Sequence, residues 1–281
     1  TPTADASKNN SKYGNMQILF EQNKGQTADA VKYIARGGGY TMYLSHEGAS
    51  FSLKRHDPNA STDKFDSKPD GSRADLKSDS LKMSFVGANP NPTVSGEDAA
   101  ITKTNYYIGK RRIENVSNFT RVHYTDVYEG IDAVFYSNAD SQLEYDFVVA
   151  PNVDANQIGL KFDGAESLEV NNNGDLVIRT ANTELLQERP VAYQDIDGER
   201  HEIAASYKVT DNHVSFELGN YDRSQPIVID PVLNYLTYIG GTAFDDVFEI
   251  AADNSGNAYI SGATKSLNFH GEIREDNDKQ A

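Results

Sequence analysis

Apolar and polar residues alternate along many short segments of this chain, and this period-two pattern is what most constrains its fold. Apolar or aromatic side chains occupy every second position in 31–35, in 40–44 and in Leu143–Val149. Successive side chains of a β-strand point to opposite faces of a sheet, so such alternation predicts half-buried strands. Only Thr27–Ala30 is compatible with a single helical turn. The chain is therefore predicted to be all-β.

The predicted strands follow one another closely, with turn residues between them. Asn171–Asp175, Asp195–Gly198 and Thr210–Asn212 supply residues that tolerate a positive φ angle. Parallel strands would need long crossover connections, so we expect antiparallel pairing in a sandwich-like or meander arrangement. The strands predicted after residue 80 are Leu81–Val86, Thr104–Ile108, Phe119–Tyr124, Ala133–Tyr136, Leu143–Val149, Ile158–Phe162, Leu168–Val170, Leu176–Arg179, Val191–Gln194, His201–Val209, Val214–Leu218 and Ile227–Ile229.

Changes in composition divide the chain into four parts. Residues 1–13 are polar and are predicted to be a flexible leader, because they offer almost nothing to bury. An all-β domain is predicted over 14–231, with a polar loop at 56–79 that carries few large apolar side chains. A repeat-like element is predicted at 232–266, followed by a polar tail at 267–281.

Several ordered motifs in the chain resemble a known family. They are FEQNKGQ (20–26), YIARGGGY (33–40), MSFVGANPNPTVSG (83–96), NYYIG (105–109), RVHYTDVYEGIDAVFY (121–136), LEYDFVVAPNVD (143–154), PVAYQ (190–194) and VIDPVLNYLTYIGG (228–241). Together they resemble the domain that precedes SBBP repeats, which are named for seven-bladed β-propellers, in large bacterial surface or secreted proteins. The segment 235–264 resembles a single such repeat. The resemblance implies an exported, mostly β protein and provides no active site to transfer. A single propeller blade cannot close a ring, so this segment would have to be the start of a propeller or a donor of strands.

Charge is unevenly distributed along the chain. Residues 1–120 hold 16 Lys/Arg and 13 Asp/Glu, whereas residues 121–281 hold 10 and 29, for a net charge of -16 over the whole chain. Such a field repels nucleic acid, so nucleic-acid binding is not expected, and the basic run 110–112 is interpreted as a solvated turn.

The sequence lacks cysteine, which excludes disulfides and thiolate metal sites. It also lacks an apolar stretch long enough to span a membrane, so no membrane span is expected.

Two loops carry oxygen-bearing side chains at alternate positions around a glycine. They contain Asp253, Ser255 and Asn257, and Asn171, Asn173 and Asp175. Ca²⁺ prefers several oxygen ligands, so these six residues are candidate calcium ligands, and Ca²⁺ is the one cofactor predicted as possible. The alternative is an ordinary hairpin turn, because neither loop has the distal bidentate Glu of an EF-hand.

Catalytic motifs are not evident, and no catalytic residue is assigned. Glu144 and Asp146 share one face of a predicted strand at a spacing that a glycosidase carboxylate pair would tolerate, but a strand with one solvated face displays acids in the same way. Asp245 and Asp246 are adjacent in a predicted strand and point to opposite faces, which disfavours shared acid–base work. A further possibility is that tyrosines act as sugar platforms, although packing in the sheets is the default expectation. These tyrosines are Tyr106, Tyr107, Tyr124, Tyr128 and Tyr136.

These observations favour a non-catalytic structural or adhesive module at the cell surface or outside the cell. Its partners are expected to be protein chains, either other copies or other surface proteins, or surface glycans. Exposed strand edges would provide the means of self-assembly. The alternative is a polysaccharide-binding module or a carbohydrate-active enzyme on the same β scaffold.

Overall fold

The computed structural model describes residues 18–37, 40–54, 78–138, 142–181, 183–236, 245–252 and 258–264. Residues 16–55 and 78–236 belong to one compact unit, and the hairpin formed by 245–252 and 258–264 belongs to another. The described part is almost entirely antiparallel β-strand with one short 3-10 helix, Ala155–Gln157. This confirms the all-β antiparallel prediction.

The strands of the larger unit are numbered in chain order. They are β1 (Phe20–Gln22), β2 (Val31–Arg36), β3 (Tyr40–Ser45), β4 (Gly48–Lys54), β5 (Ser78–Phe85), β6 (Thr93–Ile108), β7 (Arg111–Tyr128), β8 (Ile131–Ser137), β9 (Leu143–Val149), β10 (Gly159–Asp163), β11 (Ser167–Val170), β12 (Leu176–Arg179), β13 (Glu184–Gln187), β14 (Val191–Ile196), β15 (Glu199–Ile203), β16 (Ala205–Thr210), β17 (His213–Leu218), β18 (Ile227–Asp230) and β19 (Val232–Leu236). The second unit contains the hairpin of β20 (Asp245–Ala252) and β21 (Ala258–Thr264).

Strand pairing arranges the larger unit into two layers. In the first layer the strands run in the order β1, β2, β3, β4, β5, β10, β17 and β16. In the second layer the order is β6, β7, β8, β9, β18, β14 and β15. A branch of this layer leaves β9 through β19, β13, β12 and β11. The layers are joined where β1 also pairs with β7.

Tight turns set the register of the hairpins. Asp197 and Gly198, with φ angles of 53° and 85°, connect β14 to β15, as the predicted turn at Asp195–Gly198 requires. Gly48 opens β4 at φ 135°, and a Cβ there would lie 2.3 Å from the carbonyl oxygen of Met83 on β5. Glycine is needed at this position, because any side chain would push the two paired strands apart.

Aromatic rings fill the space between the two layers. Phe85 on β5 contacts three rings of the second layer, with centroid distances of 5.7 Å to Tyr124, 6.0 Å to Phe147 and 6.5 Å to Phe135. Phe147 in turn contacts Phe216 on β17 at 6.0 Å, which carries the contact back to the first layer. Edge-to-face rings of this kind add to the stabilisation from buried apolar area.

Buried tyrosine hydroxyls also join the layers by hydrogen bonds. Tyr124 donates to the carbonyl oxygen of Ser45 at 2.8 Å, and Tyr128 donates to that of Gly159 at 2.8 Å. Gln187, fully buried, donates from Nε2 to the hydroxyls of Tyr145 and Tyr207 at 2.7 and 2.8 Å. Each large ring therefore buries its apolar body while its polar atom keeps a partner.

Differences from the sequence prediction are concentrated at edges and in small segments. Glu184–Gln187, which was not predicted, forms β13, and the predicted strand His201–Val209 is two strands that meet at Ala204. Thr27–Ala30 forms bends and a turn, without a helical turn. The predicted polar loop ends earlier than expected, because Ser78 and Asp79 already belong to β5. Residues 1–13, 56–77 and 267–281 lie outside the described residues.

We expect Phe85→Ala to destabilise the fold by about 3–5 kcal/mol, because it removes a ring that contacts three others and leaves a cavity between the layers. Urea unfolding followed by fluorescence or circular dichroism measures this free energy. The control is Val170→Ala on β11, a side chain that is 40% exposed, for which a change of only about 0.5 kcal/mol is expected. Equal losses in the two variants would contradict the assignment of Phe85 to the core.

Candidate functional site

Three carboxylates meet on the outer face of the second layer. Glu144 and Asp146 lie on β9, and Asp230 ends the neighbouring strand β18. The pairing of Ile229 with Phe147 places Asp230 beside Asp146 across the two strands. We call Glu144, Asp146 and Asp230 the carboxylate cluster. Like charges on adjacent strands destabilise a sheet, so this arrangement needs a local explanation.

Hydrogen bonds satisfy part of the carboxylate cluster. The hydroxyl of Tyr136 on β8 donates to Asp146 Oδ1 at 3.0 Å, and Asn138 donates from Nδ2 to Glu144 Oε1 at 2.6 Å. Asp230 Oδ1 is buried and has no hydrogen-bond partner in the described part of the chain. A buried acceptor of this kind is readily satisfied by a proton on the neighbouring carboxyl.

Burial makes the Asp146–Asp230 pair a proton-binding site. Burial, and then the adjacent charge of Asp230, raises the pKa of Asp146 to about 7. Burial, and then the charge of Glu144, also raises the pKa of Asp230. Two close carboxyls in a partly dehydrated site share a proton more easily than they both ionise. The pair therefore retains a proton close to neutral pH.

Aromatic and basic side chains surround this cluster. The guanidinium of Arg121 lies 5.8 Å from the ring centroid of Tyr136, and that of Arg200 lies 3.6 Å from the ring centroid of Tyr193. Burial, and then the charge of Asp146, raises the pKa of Tyr193, which indicates that this ring lies near the cluster. The face thus combines two tyrosine rings with a carboxyl whose pKa is raised.

Sequence reasoning placed Glu144 and Asp146 on one face correctly but described that face as solvated, and the structure corrects this. Glu144 is only 8% exposed, and Asp146 is half-buried. The third member, Asp230, was not predicted as a site residue. It precedes a proline at the end of a short strand, and only the β9–β18 pairing brings it beside Asp146. Nothing in the local sequence around Asp230 signals this contact.

A second polar cluster was also missed, at His123 on β7. Its Nδ1 lies 2.8 Å from Glu97 Oε1 on β6, and its Nε2 lies 2.9 Å from Asp132 Oδ2 on β8. Burial lowers the pKa of His123, but the hydrogen bonds to Glu97 and Asp132 outweigh this effect and raise the pKa overall. The three residues come from three strands, so their sequence spacing gave no sign of the cluster. It holds the edge strand β6 to its neighbours.

The structure describes one of the two predicted calcium loops. In the β11–β12 turn, the amide oxygen of Asn171 accepts from the backbone nitrogens of Asn173 and Asp175 at 2.8 and 3.0 Å. Both carboxylate oxygens of Asp175 also accept, from Asn171 Nδ2 and from the backbone nitrogen of Arg189, each at 3.0 Å. These are the contacts of a self-capped turn.

The other calcium prediction falls on Asp253, Ser255 and Asn257, which lie outside the described residues. Within the described ranges, no group of three or more His, Asp or Glu side chains is arranged to hold a metal ion. Binding of Ca²⁺ therefore stays a prediction. Asp245 and Asp246 belong to β20 and pair with Thr264 and Ala263 on β21.

Strands β6 and β7 extend into a long two-stranded arm, residues 99–115, which we call the hairpin arm. Three large apolar side chains of the arm are exposed: Ile101 at 101%, Tyr107 at 63% and Ile108 at 59%. The five tyrosines that were predicted as possible sugar platforms therefore differ in their exposure to solvent. Tyr124 and Tyr128 are core residues, Tyr106 and Tyr136 are half-buried, and Tyr107 faces solvent.

Polar contacts fix the hairpin arm to the body both near its base and beside its turn. Arg111 donates to the carbonyl oxygen of Gly25, and Lys24 donates from Nζ to that of Asn115 at 2.9 Å. The hydroxyl of Tyr106 hydrogen-bonds to Glu21, which also pairs with Arg36 at 2.6 Å. The arm is therefore held at a defined angle although its outer edge is free.

Together, the two antiparallel layers, the buried carboxylate cluster and the hairpin arm define an all-β sandwich domain. The chain belongs to the family described as Domain of unknown function (DUF7948), whose model matches residues 20–232. The matched range covers strands β1 to β18 and the first residue of β19. Searches of curated proteins and of solved structures found no match.

Within the described residues, no helix has the length and apolar character needed to cross a bilayer. The resemblance to the domain that precedes SBBP repeats stays a prediction.

We expect Asp146→Asn to change the pH dependence of stability. Because the folded pKa of about 7 exceeds the ordinary value of 3.8, the stabilisation from proton binding is complete below about pH 4 and is lost as the pH rises through about 7. The neutral asparagine has no proton to lose. The variant should therefore match the natural protein near pH 4.5 and exceed it in stability by at least about 1 kcal/mol at pH 8.5.

Urea unfolding of both proteins across this pH range provides the measurement. Asp195→Asn on β14 is the control, because the Asp195 side chain is 60% exposed. An Asp146→Asn variant whose stability relative to the natural protein is the same at both pH values would contradict the shared-proton assignment.

Proposed function

We propose that this chain is a non-catalytic structural or adhesive module of a cell-surface or secreted protein, and that it binds protein chains along the free edge of β6. The single observation that carries the proposal is the hairpin arm. It is fixed to the body, it exposes large apolar side chains, and one of its two strands lies at the edge of the sheet.

The free edge of β6 provides a means of binding. Among the described strands, β6 pairs with β7 and with no other. An unpaired edge presents backbone N–H and C=O groups to which an extended segment of another chain can add as a strand. Because polar contacts already fix the arm to the body, little conformational entropy is lost when a partner binds.

A surface or extracellular location is the second part of the proposal. It is supported by the resemblance of the sequence motifs to the domain that precedes SBBP repeats in bacterial surface or secreted proteins. The net charge of -16 supports protein or cation partners over nucleic acid. Protein partners are either further copies of the chain or other surface proteins.

We expect fluorescently labelled protein to bind protein spots on an array of surface proteins, glycans and the chain itself. The double variant Ile101→Ser with Tyr107→Ser should lose most of this signal, about tenfold or more, because it removes apolar contacts beside the free edge. Val170→Ser, which alters an exposed valine outside the arm, is the matched control. Protein binding that persists unchanged in the arm variant would contradict the proposal.

A polysaccharide-binding or carbohydrate-active role is the second candidate, favoured by the protonated Asp146 beside Tyr136 and Tyr193. Tyrosine rings can stack on sugars, and a carboxylic acid that keeps its proton near neutral pH can donate it to a leaving group. The face therefore combines a stacking surface with a proton donor.

If this second role holds, glycan spots on the same array should bind the natural protein, and Tyr136→Ala should lose that binding. Glu144→Gln and Asp146→Asn would then separate binding from catalysis in a polysaccharide hydrolysis assay. Turnover that either variant abolishes would indicate an enzyme, whereas glycan binding without turnover would indicate a binding module. A chain that neither binds nor cleaves any glycan would contradict this role.

A further inference from the structure

We infer that β6 of one molecule pairs with β15 of a second copy of this chain, so that the second layer continues from one molecule to the next. This inference rests on the proposed function, since it names the partner of the β6 edge. The argument comes from the positions of the two strands in the sheet and from their charges.

The two strands are opposite edges of one layer. In the order β6, β7, β8, β9, β18, β14 and β15, each inner strand is paired on both sides. Among the described strands, β15 pairs with β14 and with no other. A sheet with two free edges can be extended by head-to-tail addition of identical copies.

The hairpin arm carries a net positive charge. Residues 99–115 contain Lys103, Lys110, Arg111 and Arg112 against one acid, Glu114. Arg112 lies over the ring of Tyr107, with its guanidinium carbon 5.8 Å from the ring centroid, so this charge sits beside an exposed apolar surface. In a chain of net charge -16, the arm is a local basic region.

The opposite edge carries the opposite charge. Residues 195–202, which form the end of β14, its turn and most of β15, contain Asp195, Asp197, Glu199 and Glu202. Their basic side chains are one arginine, Arg200, and His201. Arg200 is already engaged, stacked on Tyr193 and 3.6 Å from Asp195. All four acids are exposed. This edge is therefore acidic.

Charge selects which edges can meet. Two β6 edges repel each other, and so do two β15 edges, whereas β6 and β15 attract. Charges on edge strands commonly prevent aggregation, but that role does not require opposite signs at the two edges of one sheet. Among copies of this chain, opposite signs permit β6–β15 pairing and disfavour the two symmetric pairings.

Irregular pairing limits the edge that β15 can join. The β6–β7 register shifts between Ala99 and Lys103 and again between Thr104 and Tyr106. The regular stretch after the second shift, Tyr106–Ile108, is shorter than the five residues of β15, Glu199–Ile203. The ladder with β15 is therefore expected to be short.

The test uses the whole chain and two charge-reversed variants. One, the arm variant, carries Lys110→Glu and Arg112→Glu and leaves Arg111 in its contact with Gly25. The other, the edge variant, carries Glu199→Lys and Glu202→Lys. Sedimentation velocity over a concentration series measures association, and circular dichroism with a thermal melt checks that each variant folds like the natural protein.

We expect the natural protein to form oligomers in low salt, and we expect about 0.5 M NaCl to weaken their association at least about tenfold by screening the charges. Each variant alone should be monomeric, because its two edges then carry the same sign. An equimolar mixture of the two variants should associate again, because each arm then faces an edge of opposite charge.

Three outcomes would overturn the inference: a natural protein that stays monomeric at every concentration, single variants that associate like the natural protein, or a mixture of folded variants that stays monomeric. If the arm binds another protein on the array while the chain does not self-associate, the inference fails and the proposed function stands. Loss of both activities would refute both.

Discussion

The fold depends on the packing of aromatic rings between two sheets. Phe85 on the first layer contacts three rings of the second layer. One of these three, Phe147, also contacts Phe216 on the first layer. A chain without cysteine has no disulfide to hold such layers together, so buried rings and the tyrosine hydroxyls that cross between layers must do so. Because these contacts stabilise β7, β8 and β9 from the inside, the outer face of the same strands can tolerate the clustered carboxylates.

The carboxylate cluster and the hairpin arm illustrate two uses of a well-packed sheet. Asp146 and Asp230 are held together although their charges repel, and a proton relieves part of that repulsion. The arm, in contrast, leaves apolar side chains in water at the edge of the layer. Both the carboxylate cluster and the exposed apolar side chains of the arm destabilise the fold locally. Local destabilisation of this kind is typical of positions with a functional role.

Much of the fold was predictable from sequence, because alternation of apolar residues is a local signal. Leu143–Val149 and Leu176–Arg179 were predicted with the observed bounds, and the Asp195–Gly198 turn lies where expected. What could not be predicted depends on pairing. Asp230 meets Asp146, and His123 meets Glu97 and Asp132, only because particular strands are neighbours. The opposite charges of the β6 and β15 edges likewise cannot be predicted from the sequence, because the order of the strands in the layer must be known first.

The number of antiparallel pairings between the first and last strands of the larger unit has a mechanical consequence. From β1 through β7, β8 and β9 to β19 there are four antiparallel steps, so the first and last strands of this unit run in the same sense. A pull on the two ends of the unit therefore draws these two strands in opposite directions along their axes. They share no ladder, so the load passes through the β1–β7, β7–β8, β8–β9 and β9–β19 ladders in turn. In each of these ladders the load acts along the strands and across their hydrogen bonds, so the bonds of a ladder resist it together.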